Sequence, residues 1–107
     1  MPKINIKALS INAAFQGRRF KTPAYNKYQV AVLSMLPKIE IGKAPYELHI
    51  DFGLSNKLND IDNGIKNFTD CLVKKYGFDD RDIYYLTVTK TIVKKGFEYI
   101  DFQIKSM

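Results

Sequence analysis

Ile4, Ile6 and Ala8 alternate with Lys3, Asn5 and Lys7, a period of two that predicts a half-buried strand. Residues 10–23 then run polar around Gly17 and Pro23 and predict a loop. From about Ala24 to Leu36, Tyr28, Val32, Met35 and Leu36 recur at helical spacing, and Pro37 closes that helix. Pro45 to Leu54 is a strand pattern. Tyr46, Leu48, Ile50 and Phe52 point one way, and Glu47, His49 and Asp51 point the other. His49 is thereby expected in solvent. A polar loop over 55–61 leads to a second helix from about Asp62 to Tyr76. Its buried stripe is Ile65, Phe68, Leu72 and Tyr76, with Cys71 beside it as a small core residue. Asp62 or Asn63 suits its cap, and Gly77 is a natural stop. Residues 83–93 and 97–105 are rich in Tyr, Thr, Val, Ile and Phe, and Lys95–Gly96 between them reads as the turn of a hairpin. The order β-α-β-α-β-β predicts an α+β fold, with one mixed or antiparallel sheet and two helices packed against it. The length of 107 residues fits a single domain over 1–107.

Composition narrows the chemistry. Hydrophobic residues make up 46% and charged residues 26%, which is globular and not disordered. The single cysteine, Cys71, excludes an internal disulfide and fits a reducing compartment. With one histidine besides, the usual Cys/His zinc sites are excluded, and a Cys–His or Ser–His nucleophile has little to work with. Chemistry must come from carboxylates, lysines and hydroxyls. No charge-free stretch, Tyr28 to Pro37 included, comes near the roughly 20 apolar residues of a membrane span. The N-terminal MPKINIKAL has neither an apolar core nor a small-residue cleavage site. A cytoplasmic protein without membrane contact is expected.

The net charge of +6 is one-sided: residues 1–50 carry eight Lys/Arg and two Glu, while residues 51–107 carry nine of each sign. A basic half beside a separate acidic cluster suits a polyanion lying on one side while chemistry happens at the other. The basic segment is Gln16-Gly17-Arg18-Arg19-Phe20-Lys21-Thr22, flanked by Phe15, Tyr25, Lys27 and Tyr28. Guanidinium and ammonium groups neutralise phosphates, and an exposed Phe or Tyr can stack on bases or wedge between them. The plainer reading is a solvated basic loop whose aromatics belong to the core.

The acidic cluster begins at Asp60-Ile61-Asp62-Asn63, where a loop meets a helix. Two carboxylates two residues apart converge on one hard cation if the backbone between them is extended. Asp79, Asp80 and Asp82 follow at the far end of the same helix, roughly 20 Å away. A shared site therefore requires the strand after Asp80 to return along the helix, or the loop to fold back. An EF-hand is excluded, because its sixth and twelfth positions would be Ile65 and Cys71. Lys66 lies one turn after Asp62 and can face a scissile phosphate; the plain alternative is a surface pair with Asp70. Likewise, the acids can be read as helix caps and turn residues only.

Asp60-Ile61-Asp62-Asn63-Gly64-Ile65-Lys66 resembles the D-x-D-N-x-x-K helix start of the RusA family of Holliday-junction resolvases. Asp79-Asp80-Arg81-Asp82-Ile83 is similar to the D-D-x-x-hydrophobic segment that follows in that family. Lys90 matches a lysine of the next strand, Gly96 the glycine of the terminal turn, and Asn12 with QGRRFKT the N-terminal loop of phage-type members. Asn59 departs from the basic residue of many members. The resemblance implies a crossover junction endodeoxyribonuclease of recombination and repair. It would be a homodimer that resolves four-way DNA junctions by paired symmetric nicks, in a bacterial or phage-infected cytoplasm. It implies Mg²⁺, with Mn²⁺ as substitute, held by Asp60, Asp62 and Asp80, with Lys66 facing the phosphate; Asp79 is the alternative to Asp80. Asn12, Arg18, Arg19, Lys21 and Lys90 are the expected DNA contacts. The competing class is a non-catalytic basic nucleic-acid-binding module.

Overall fold

The computed structural model describes residues 2–9, 15–16 and 20–107, with residues 15, 16, 20 and 21 described for their backbone alone. In chain order the strands and helices are β1 (Lys3–Ile4), β2 (Phe15–Gln16), β3 (Phe20–Lys21), α1 (Pro23–Met35), β4 (Tyr46–Leu54), α2 (Ile65–Tyr76), β5 (Ile83–Ile92) and β6 (Tyr99–Ser106). A single 3₁₀ turn, Asp80–Asp82, precedes β5. The fold is α+β, as the hydrophobic pattern predicts. β2 and β3 form a small antiparallel pair inside the stretch read from sequence as loop.

The main sheet has the order β1-β6-β4-β5. β4 pairs parallel with β5 and antiparallel with β6. The expected β5–β6 hairpin is therefore absent, and β4 lies between the two strands. The reason is burial. Tyr46, Leu48, Ile50, Phe52 and Leu54 make β4 apolar along one whole face, and a central strand with both edges paired buries that face most completely. The segment after β5 passes the end of β4, where the Val93 amide donates to the Leu54 carbonyl at 2.8 Å. Parallel pairing of β4 with β5 needs a crossover, and α2 supplies it.

α1 starts on Thr22, whose Oγ1 accepts from the Tyr25 amide at 3.2 Å, with Pro23 in the first turn. Its inner face is Tyr25, Tyr28 and Val32; Met35, expected in the stripe, is 44% exposed, and Tyr25 takes that share of the core. α2 starts three residues later than predicted. Neither Asp62 nor Asn63 caps it; Gly64 occupies the cap position without a side-chain hydrogen bond. Gly64 is where the chain enters the core, since a Cβ there would lie 3.2 Å from Ala8 and 3.3 Å from the Phe52 ring. α2 ends on Gly77 in the left-handed conformation (φ 70°), whose amide donates to the Val73 carbonyl at 2.8 Å.

Phe68, Cys71 and Leu72 of α2 are fully buried against β4 and β6. The Phe68 ring meets Phe102 edge-on at 5.3 Å and Phe52 at 6.5 Å. Burial of such side chains contributes about 1.5–3 kcal/mol each. The opposite sheet face is polar. Its centre is Asp51, which accepts from Tyr99 Oη at 2.6 Å, Thr89 Oγ1 at 2.7 Å and Thr91 Oγ1 at 3.0 Å. The Tyr99 ring lies flat on Gly53, where a Cβ would sit 2.3 Å from ring carbon Cδ1. His49 is on this face as expected, but half-buried and bonded through Nδ1 to Thr87 Oγ1, not free in solvent. Among the described residues no helix is long and apolar enough to cross a membrane.

Candidate functional site

The loop from Ser55 to Gly64 leaves β4 and delivers the chain to α2. Asn56 Oδ1 accepts from the Leu58 amide at 2.9 Å, and the Asn59 amide donates to the Asn56 carbonyl at 3.1 Å. Two further turn bonds, Asn63 amide to Asp60 carbonyl and Ile65 amide to Asp62 carbonyl, each 3.3 Å, coil Asp60–Gly64. The backbone is thus turned and not extended, which removes the condition for Asp60 and Asp62 to converge. Each lines a different recess. Asp60 borders a cavity of about 560 Å³ on the side of β1 and α1, with Lys7, Tyr28 and Asn63. Asp62 borders a groove of about 540 Å³ between α2 and β5, with Lys66, Asp70 and Asp80.

β5 returns alongside α2, so Asp80, at the far end of the helix in sequence, shares a recess with Asp62 and Lys66. Asp70, which sequence reasoning treated only as a partner for Lys66, lies in the same groove and joins Asp80 again in an adjoining recess beside Tyr46 and Phe78. Its signal was present: Asp62, Lys66 and Asp70 are spaced four apart, on one helical stripe. Lys66 Nζ stands 3.9 Å from Asp70 Oδ2, with the lysine side chain 57% exposed. This is the surface pair of the plain reading, at the outer limit of an ion pair.

Asp79 and Asp80 divide their work. Asp79 caps the 3₁₀ turn through the Arg81 amide at 3.0 Å and grips the Arg81 guanidinium at 2.8 and 3.0 Å. The hydrogen bonds from the Arg81 side chain, then from its backbone, hold the Asp79 carboxyl below the usual carboxylate range. Asp79 is thereby committed to local structure, while Asp80 borders the groove.

Lys90, expected to contact DNA, has an internal use in the fold. Its Nζ donates to the Lys57 carbonyl at 3.1 Å and the Asn59 carbonyl at 3.0 Å, fastening the acidic loop to β5. Asn12, Arg18 and Arg19 lie outside the described residues, and Lys21 is described only as backbone in β3.

Carboxylate oxygens are the donors that a hard divalent cation takes. Magnesium commonly uses one or two of them and completes its shell with water and substrate phosphates. Among the described residues no group of three His, Cys, Asp or Glu side chains is close enough to hold a metal ion. Asp60, Asp62 and Asp80 therefore do not form a ready-made triad. Asp70 and Asp80 share both recesses. No family model matches the chain, and no curated protein matches it.

Proposed function

We propose that the chain is a Mg²⁺-dependent endodeoxyribonuclease of branched DNA, acting on four-way junctions in the manner of the RusA family it resembles. The observation that supports this reading most is the groove between α2 and β5. It gathers Asp62, Lys66 and Asp80 from two segments that the sequence separates by a whole helix.

Asp80 and Asp70, which line the same groove, would hold the cation together with a DNA phosphate, with Asp62 farther along it. When bound, the cation lowers the pKa of a water for attack on phosphorus and offsets the charge that builds there. Lys66 projects its ammonium toward the same space, where it meets the phosphate oxygens. Asp60, on the other side of the turn, lines a separate cavity and is not part of this groove. In-line attack would leave a 5′-phosphate and a 3′-hydroxyl. A homodimer fits a two-fold substrate that needs two cuts. Exposed apolar side chains suited to self-association are Tyr84 and Leu86 on edge strand β5, and Val30 and Met35 on α1.

One feature favours the competing class, a non-catalytic nucleic-acid-binding module: Lys66 and Asp70 already stand as a surface pair without a ligand. The test is a synthetic four-way junction, with and without Mg²⁺, against a linear duplex of the same sequence. The expected result is paired nicks in the junction that need Mg²⁺ and vanish in Asp62→Asn and Asp80→Asn while binding persists. Binding without metal-dependent nicking assigns the module instead.

A further inference from the structure

We propose that the cavity beside Asp60 receives one unstacked nucleobase of the branched DNA; this rests on the junction-nuclease reading above. The cavity, about 560 Å³, is within the roughly 300–1,000 Å³ of small-ligand sites. Its floor is apolar, built by Ala8, Phe52 and Leu54. Its rim carries two primary amides, Asn59 and Asn63, each both donor and acceptor. An apolar floor under an amide rim is complementary to a flat heterocycle with a hydrogen-bonding edge, which is how extruded and single-stranded bases are held.

Tyr28 adds an independent sign. It lines the cavity and is 6% exposed, yet its buried hydroxyl has no hydrogen-bond partner among the described residues. A buried phenol without a partner is costly in a finished core, and a ligand edge or an entering water would satisfy it. Lys27, also at the cavity, supplies a cation for the phosphate attached to that base. One wall is tied to α2 at Leu9, whose carbonyl accepts from Nδ2 of the fully buried Asn67 at 2.8 Å.

Position gives the cavity its meaning. Asp60 faces it while Asp62, two residues on, faces the groove, and two residues span at most about 7 Å. Cavity and groove thus address neighbouring parts of one strand. At a branch point stacking is already broken, so lifting a base into the cavity costs least there. The cavity would then select the junction over duplex and set which base stands beside the cut.

The experiment places 2-aminopurine at each branch-point position of a four-way junction and adds the protein in Ca²⁺, which takes the same carboxylate donors. The expected result is a rise in emission at one position on each cut strand. That rise is lost with Ala8→Phe, which fills the cavity, and with the double variant Asn59→Ala/Asn63→Ala, which keeps the floor and removes the rim. If Ala8→Phe does not fold by thermal melting, the amide variant decides. Junction binding with no rise at any position, or a rise that survives in the folded variants, overturns the base site and leaves the nuclease reading standing. Absence of junction binding removes both.

Discussion

Lys90→Met separates two uses of one lysine: a phosphate contact in DNA and an internal strut. The structure fastens Nζ to the Lys57 and Asn59 carbonyls at 3.1 and 3.0 Å. Methionine keeps the aliphatic stem and removes both bonds. A hydrogen bond from a charged donor contributes about 1.5–3 kcal/mol when shielded, but Lys90 is exposed, where pairs are worth about 0.2–1 kcal/mol. Two such bonds give about 1 kcal/mol, and a chain of this size should lose roughly 4–8 °C in melting temperature. Amides of the 56–64 loop should exchange faster with solvent, while those of β4 and β6 keep their protection. Displacing this loop by about 1 Å moves Asp60 and Asp62, and misplacement on that scale costs on the order of 100-fold in rate. Junction affinity and its salt slope should stay as in the wild type, since no phosphate contact is lost. Lys90→Arg should restore part of the loop protection. A salt slope reduced by about 0.9 with unchanged loop exchange would show that Lys90 meets a phosphate instead.

Gly53→Ala drives a Cβ to 2.3–2.9 Å from the Tyr99 ring, which is held by its bond to Asp51 and by Lys3 Nζ 4.2 Å from the ring centre. Overpacking of this kind costs about 1–3 kcal/mol, or on the order of 10 °C in melting temperature, and an unchanged melting curve would contradict the packing described. Burial alone would raise the Asp51 carboxyl, yet the hydrogen bonds from Tyr99, Thr89 and Thr91, with nearby Lys3, carry it below the ordinary value. A carboxyl lowered in the folded state adds stability that is present above its unfolded pKa of about 3.9 and is lost as pH falls through the folded value. Acid titration of thermal stability should therefore show a decline below about pH 4 that Asp51→Asn flattens. Asp79→Asn should loosen the turn before β5 and leave Mg²⁺-dependent cutting measurable, whereas Asp80→Asn should abolish cutting with an unchanged melting temperature; the opposite pattern would exchange their roles.

The parts of the fold legible in the sequence are those whose burial is decided locally. β4 alternates Tyr46, Leu48, Ile50 and Phe52 against Glu47, His49 and Asp51, and one buried face settles its register. α2 shows its stripe of Phe68, Leu72 and Tyr76 for the same reason. The pairing of β5 was not legible, because Lys95–Gly96 is a good local turn while the place of β4 is decided by the whole sheet. The start of α2 was misplaced because Asp62 and Asn63 are fitting caps, and no local rule reports that Gly64 is pressed on Ala8 and Phe52. The candidate site follows the same division. Asp62 and Lys66, four apart in sequence, line one groove, although Asp62 lies in the turn before α2. Asp60 parted from them because the loop is turned, and Asp70 entered because β5 brings Asp80 alongside it.

The charge distribution gives the groove a physical logic of its own. Asp62, Asp70 and Asp80 face Lys66 there, so the groove alone presents a net negative wall to a phosphate backbone. DNA attracted by the basic half of the chain would meet repulsion at this wall. On the proposed reading, a divalent cation would cancel that charge where a phosphate must sit, so that metal and substrate would favour each other's binding in the groove. Such coupling would need no three-carboxylate cage formed in advance, since a full cage would neutralise the cation without the DNA. On the same argument, Asp80→Asn relieves repulsion while it removes a metal donor. Loss of cutting with binding retained is then the signature of a carboxylate that works on the metal, and loss of binding the signature of one that holds the fold.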